Sequence, residues 1–144
     1  MVDMDTKQYL NQISRYDRMI NNKLSEISQL RELTMSIQAV SYEEKTGPVN
    51  KKTDKIGNAF CKIEEMEEKL DKLIDEYVDL KREIMLIISM VKSERHREIL
   101  SKKYIELKSI YEIAEELGIT DRGCKKAHKK ALDEFEKIKK QYIV

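Results

Sequence analysis

The sequence predicts an all-α protein, with a long antiparallel helical hairpin of coiled-coil character followed by a run of shorter C-terminal helices. Charged residues make up 38% of the 144 positions and Trp is absent, a composition that favours long solvated helices over a β-sandwich. One proline and four glycines leave little material for turns. Apolar residues then recur at steps of three and four over two long stretches, the spacing of a helical seam.

The first seam is Ile13, Tyr16, Ile20, Leu24, Ile27, Leu30 and Ile37, with Thr34 filling one slot. It predicts a helix from about Asp5 to Gln38, on the order of 50 Å long at the usual rise per residue. Arg15, Arg18, Asn21, Asn22, Lys23 and Glu26 fall between the seam positions as a polar outer face. "VSYEEKTGPVNKKTD" then breaks the period, and Gly47-Pro48 is a turn signal. A linker is expected over about 40–54. The second seam is Ile56, Phe60, Ile63, Met66, Leu70, Leu73, Tyr77, Leu80, Ile84, Ile87 and Val91, advancing by three or four at every step. Glu65–Lys69 and Glu68–Lys72 are spaced to support its exposed side.

Two such helices joined by a turn fold back on each other and hide one stripe apiece. The second is apolar on every side near its end, through Ile84, Met85, Leu86, Ile87, Ile88, Met90 and Val91. An end of that kind must be surrounded by the C-terminal helices, a second chain, or both, so a homodimer or higher homo-oligomer is expected. Residues 1–91 read as the hairpin and oligomerisation region, and 92–144 as a separate domain.

In that domain Ser93 is placed to cap a third helix whose inner face is Ile99, Leu100 and Tyr104. Ser109 with Glu112 makes a capping box for a short fourth helix with Ile110, Ile113, Ala114 and Leu117 inward. Gly118 stands where a helix-ending glycine belongs, and Thr120 caps a fifth helix running toward Tyr142. A short helix, a glycine turn and a second helix with a free outer face are the parts of a helix-turn-helix. Ala114 supplies the small residue where the helices cross, and Ile119 the apolar plug beyond the turn. Cys124, Ala127, Ala131, Phe135 and Ile138 form the inward stripe of the last helix. Asp121, Arg122, Lys125, Lys126, Lys129 and Lys130 are left outward.

Net charge over the chain is only +1, so whole-chain charge points to no polyanion. The distribution is uneven. Residues 92–144 hold 14 Lys and Arg against 10 Asp and Glu, and Thr120–Leu132 holds five against one. Charge gathered on the face left open is what phosphate neutralisation needs, and double-stranded DNA is the expected partner. Lysine-rich helix faces also occur in ordinary bundles, so spacing alone leaves both readings open.

"YIELKSIYEIAEELGITDRGCKKAHKKALDEFE" resembles region four of the sigma-70 family, the helix-turn-helix that reads the upstream promoter element. The chain as a whole resembles a family of small phage and prophage proteins. The matching stretches are "YLNQISRYDRMINNKLSEISQLRELTMSI", "YVDLKREI" and the sigma-like tail. That family in turn resembles phage activators of late or packaging genes. The resemblance implies a sequence-specific transcriptional regulator with base-facing residues at Asp121, Arg122, Lys125 and Lys126, and a phosphate-meeting cap at Thr120. Asp121 stands where primary sigma factors usually carry a base and Arg122 where they carry an acid, so promoter specificity does not transfer. Arg122 has the chemistry for a bidentate contact to guanine, while Asp121 can accept from cytosine or orient Arg122. Lys129 and Lys130 suit backbone phosphates.

Cys124 and His128 are four residues apart, but no second pair completes a metal site, and packing is the simpler reading. A histidine at that position suits a packed or a phosphate-contacting residue equally well. Tyr77, Tyr104 and Tyr111 fall on apolar stripes and are expected in the core. "KIEEMEEKLDKLIDE" is a solvated helix face rather than an acid/base pair. With no Walker-type glycine loop, no HExxH and no Ser/His/Asp set, a non-enzyme without cofactor is expected. Widely spaced cysteines suit a reduced cytoplasmic setting. The start shows no export signal, and "IMLIISMV" is too short for a membrane span. Two rival functions remain: a small terminase-like subunit recognising DNA for packaging, and a sigma-like adaptor that docks on RNA polymerase without reading DNA.

Overall fold

The computed structural model describes residues 5–43 and 49–142, with side chains described at 5–39 and 55–142. Five α-helices follow in order: α1 (Thr6–Glu43), α2 (Val49–Ser89), α3 (Glu94–Leu100), α4 (Ile110–Leu117) and α5 (Asp121–Tyr142). A π-helical turn, Ser101–Ile105, continues α3. Every regular element among the described residues is helical. No described helix is long and apolar enough to cross a membrane. The chain divides into two compact units. One joins the start of α1, as far as Tyr16, to the chain from Tyr77 onward; the other is Asp17–Glu76.

The first unit is built around Leu10 and Ile13 of α1, Ile84, Ile87, Ile88 and Val91 at the end of α2, Leu100 and Tyr104, and Ala131 and Phe135 of α5. Tyr9 lies against Phe135 with ring centroids 6.3 Å apart. The all-round apolar end of α2 is therefore covered by neighbouring helices on one side only. Met85, Leu86 and Met90 stay exposed in the single chain. The α2–α3 corner is fastened by polar groups. Glu134 of α5 accepts from the Lys92 backbone N–H at 2.8 Å and meets His96 Nδ1 at 3.1 Å. Arg97 donates to the Val91 and Lys92 carbonyls, which lie just past the end of α2. The Ser93 hydroxyl accepts from His96 N–H, capping α3.

The second unit holds a smaller core of Ile27, Ile63 and Leu70, flanked by Ile20, Leu30 and Met66. Thr34 is buried and its hydroxyl donates to the Leu30 carbonyl at 2.8 Å, so the polar seam position is satisfied within its own helix. Arg31 and Glu67 form an ion pair beside it. Leu24 and Phe60, placed in the seams by periodicity, are 49% and 48% exposed. A pair of helices covers one narrow stripe on each, and side chains at the stripe's edge are covered on one flank only.

Two stretches depart from the boundaries read in the sequence. α1 continues to Glu43 and α2 begins at Val49, so residues 40–43 and 49–54 of the expected linker are helical. Neither stretch contains Gly or Pro, the two strong helix breakers, and loss of apolar period is not loss of helix. The Gly47-Pro48 turn lies outside the described residues. The π-helical turn was not foreseen. Its wider bond runs from Glu106 N–H to the Ser101 carbonyl at 2.9 Å, and beyond it Lys108 N–H closes back on the Lys102 carbonyl at 2.9 Å. They leave Leu107 at φ 58, a left-handed backbone that branched side chains seldom adopt.

Gly118 has φ 67, and a Cβ built there meets nothing within 4 Å. Gly118→Ala therefore tests the backbone term free of any clash. It is expected to lower the unfolding free energy by about 1 kcal/mol, and Gly118→Asn by less, both read from urea midpoints.

Candidate nucleic-acid interface

The site is assembled from local signals upward. The Ser109 hydroxyl accepts from Glu112 N–H at 3.2 Å and starts α4. One turn on, Ile113 and Ala114 are buried with Ile99 and Cys124 in a compact cluster, with Ile110, Leu117, Ile119 and Ala127 around it. Gly118 in its left-handed conformation ends α4, and Ile119 N–H returns to the Ala114 carbonyl at 3.0 Å. Thr120 then opens α5: its hydroxyl accepts from Gly123 N–H at 3.0 Å. A Cβ at position 123 would stand 3.0 Å from that hydroxyl, so the glycine leaves room for the cap.

α5 is held by one face. Cys124, Ala131 and Phe135 are fully buried and His128 nearly so. His128 Nε2 lies 2.7 Å from the Tyr104 hydroxyl, with the two rings stacked at 5.6 Å. Burial pushes the imidazole down to about 4, helped by the charges of Lys103 and Lys7. Burial likewise raises the tyrosine to about 12, with a smaller push from Asp5. Of the two roles open to His128 in the sequence, packing is the one adopted. Its contacts are inward and its ring is neutral at ordinary pH.

The opposite face carries the charge. Thr120, Asp121, Arg122, Lys125, Lys126, Lys129 and Lys130 are all exposed. Ion pairs among the described residues engage Lys102 and Lys108, both held by Glu116, and Lys140, held by Glu136. Arg122, Lys125, Lys126, Lys129 and Lys130 take part in none of them. Thus the cations of the first half of α5 keep their charge available to an external anion, while Lys102 and Lys108 of the α3–α4 connection are committed internally.

Tyr111, assigned to an apolar stripe in the sequence, is 61% exposed. It precedes buried Ile113 by two residues, about 200° around the helix, which places it on the far face. Lys125 Nζ lies 5.6 Å from the centre of its ring. Tyr104 is buried as expected, and Tyr77 is partly buried against Tyr16. Cys124 is enclosed, and burial raises its thiol pKa, with a further push from Asp121. Among the described residues no group of three or more His, Cys, Asp or Glu side chains is arranged to hold a metal ion.

The low His128 pKa has a consequence for stability. The unfolded imidazole takes up a proton near its ordinary value of 6.5 while the folded one refuses it down to about 4. Stability from this group is thus fully present above about pH 6.5 and falls steadily as pH drops toward 4, by up to about 3 kcal/mol. Glu134, held down by its His96 and Lys92 contacts, adds a further acid loss at lower pH. Urea unfolding of wild type and His128→Gln between pH 7 and 4 separates the two, since the variant is expected to lose only the upper part of the slope.

Comparison of the chain with protein-family models, with curated proteins and with solved structures gave no match in any of the three.

Proposed function

We propose that the protein binds duplex DNA as a regulator of transcription, with α4 and α5 acting as a helix-turn-helix and the start of α5 entering the major groove. The observation that carries this reading is the exposed, unpaired set of Arg122, Lys125, Lys126, Lys129 and Lys130 on a helix anchored by its opposite face. Rigid presentation matters here, because phosphate contacts fix register only when their donors are held by a scaffold. Arg122 and Asp121, in the first turn of α5, are the residues assigned to base edges. Lys129 and Lys130, two turns further on, are assigned to phosphates. The resemblance to sigma region four and to small phage proteins favours transcriptional control within a phage or prophage programme. That support is one of pattern, since fold does not fix function.

The reading includes an antiparallel hairpin of α1 and α2 that pairs copies of the chain. Within one unit Ile13 shares a core with Ile84, and within the other Ile27 shares one with Ile63 and Leu70, so each unit packs α1 against α2. Met85, Leu86 and Met90 in one unit, and Leu24, Met35 and Phe60 in the other, are exposed apolar side chains available for a second copy. Two copies would present two basic helices and set a half-site spacing. The protein is proposed to be a non-enzyme without cofactor.

Fluorescence anisotropy with random-sequence duplex DNA tests the central point. Wild type should bind with steep salt dependence. A Lys125/Lys126/Lys129/Lys130→Ala variant of unchanged helicity should lose affinity and have its log–log salt slope reduced by up to about 3.6. Absence of wild-type binding at low salt would sink the reading and favour a polymerase adaptor. Analytical ultracentrifugation should give a dimer, and a ring of many subunits would favour the packaging role instead.

A further inference from the structure

Tyr111 is a large aromatic side chain that packing does not account for. α4 buries Ile113 and Ala114, and Tyr111 lies on the other side of that short helix, 61% exposed. Its ring is nonetheless not alone, because the ammonium of Lys125, the cation of α5 that reaches α4, stands 5.6 Å from its centre. A cation over the face of a tyrosine is attracted by the ring quadrupole. The contact also limits the rotamers of a long side chain that would otherwise move freely, so less entropy is lost when that side chain meets an anion.

We infer that Tyr111 and Lys125 form a two-donor phosphate subsite that extends the DNA contact surface from α5 onto the start of α4. The inference rests on the DNA-binding reading above. The ring positions the ammonium, and the phenol hydroxyl is a second donor on the same exposed surface. The neighbouring charges restrict where a phosphate can sit. Lys102 and Lys108 are held by Glu116, with Glu106 also beside Lys108, and α4 beyond its first turn exposes Glu115, which repels an anion. Glu112, also exposed, borders the subsite on α4 itself. On the α4 side of the surface a phosphate is favoured beside Lys125, whose ammonium stands over the Tyr111 ring. Lys125, which the resemblance to sigma region four places among the base-facing positions, thereby becomes a backbone contact indifferent to sequence, while Arg122 keeps the base edge.

Anisotropy with random-sequence duplex DNA, on the full chain, tests it with four variants: Tyr111→Phe, Tyr111→Ala, Lys125→Ala and the Tyr111→Ala/Lys125→Ala double. Tyr111→Ala should weaken binding about fivefold and Tyr111→Phe about twofold, the sizes expected for losing ring and hydroxyl or hydroxyl alone. Lys125→Ala should reduce the salt slope by about 0.9, whereas Tyr111→Phe should leave it unchanged. In the Lys125→Ala background, removing the ring should cost less than it does in wild type. A readout that needs no DNA accompanies these: the Lys125 ε-methylene protons should show an upfield ring-current shift, kept in Tyr111→Phe and lost in Tyr111→Ala. If wild type binds and Tyr111→Ala binds equally well, the subsite is wrong and the helix-turn-helix reading stands. If the two single losses simply multiply, the pairing is wrong. If wild type does not bind at all, both inferences fall together.

Discussion

Phe135 is completely enclosed, with Tyr9 of α1 beside it and Ile84, Ile87 and Leu100 in the same core. Burying one such side chain contributes on the order of 2–3 kcal/mol. The same helix reaches a second small core through Cys124, which packs with Ile99, Ile113 and Ala114. One stripe on α5 therefore joins two clusters, and both fix the rotation of the helix about its axis. Every other property of α5 depends on that constraint. Five cations over two turns repel one another, and a helix so charged holds its shape through tertiary packing rather than propensity. Once the stripe is buried, geometry leaves the charges outward.

The polar members of the stripe are consistent with this role. A charged imidazole at position 128 would add to the repulsion from within, but burial keeps His128 neutral and Tyr104 satisfies its Nε2. A buried polar pair of this kind is costly to leave unmade, which favours a single register of α5 against the π-helical turn over neighbouring slips. The corner residues act similarly. Glu134 ties α5 to the α2–α3 turn by one backbone bond and one histidine contact, so the basic helix is fixed at its middle as well as its start. Glu116 and Glu106 gather Lys102 and Lys108, two carboxylates against two cations, and Glu112 and Glu115 leave the outer side of α4 acidic. The boundary between acid and base falls at Tyr111.

Apolar surface left on α1 and α2 follows from the small number of helices. Each unit buries the residues that face a neighbouring helix, and the remainder of a broad apolar surface has nothing to pack on. Met85, Leu86 and Met90 are exposed for this reason although their neighbours Ile84, Ile87 and Ile88 are among the best buried residues of the chain.

The helical class, the caps at Ser93, Ser109 and Thr120, the end at Gly118, and the buried set Cys124, Ala131 and Phe135 were all legible in the sequence. Each depends on residues within about one turn, or on a period that one helix imposes on its own side chains. The exposed character of Asp121, Arg122, Lys125, Lys126, Lys129 and Lys130 followed by subtraction from that period. Tyr111 was legible too, by its offset from Ile113, but was read as apolar by residue type. What tertiary structure alone decided is which partner each side chain meets: His128 with Tyr104, Glu134 with Lys92 and His96, Lys125 with Tyr111. It also decided the π-helical turn, the left-handed Leu107, and the exposure of Leu24 and Phe60. Those outcomes depend on residues distant in sequence competing for the same space, and a pattern read along one helix contains no information about what stands opposite.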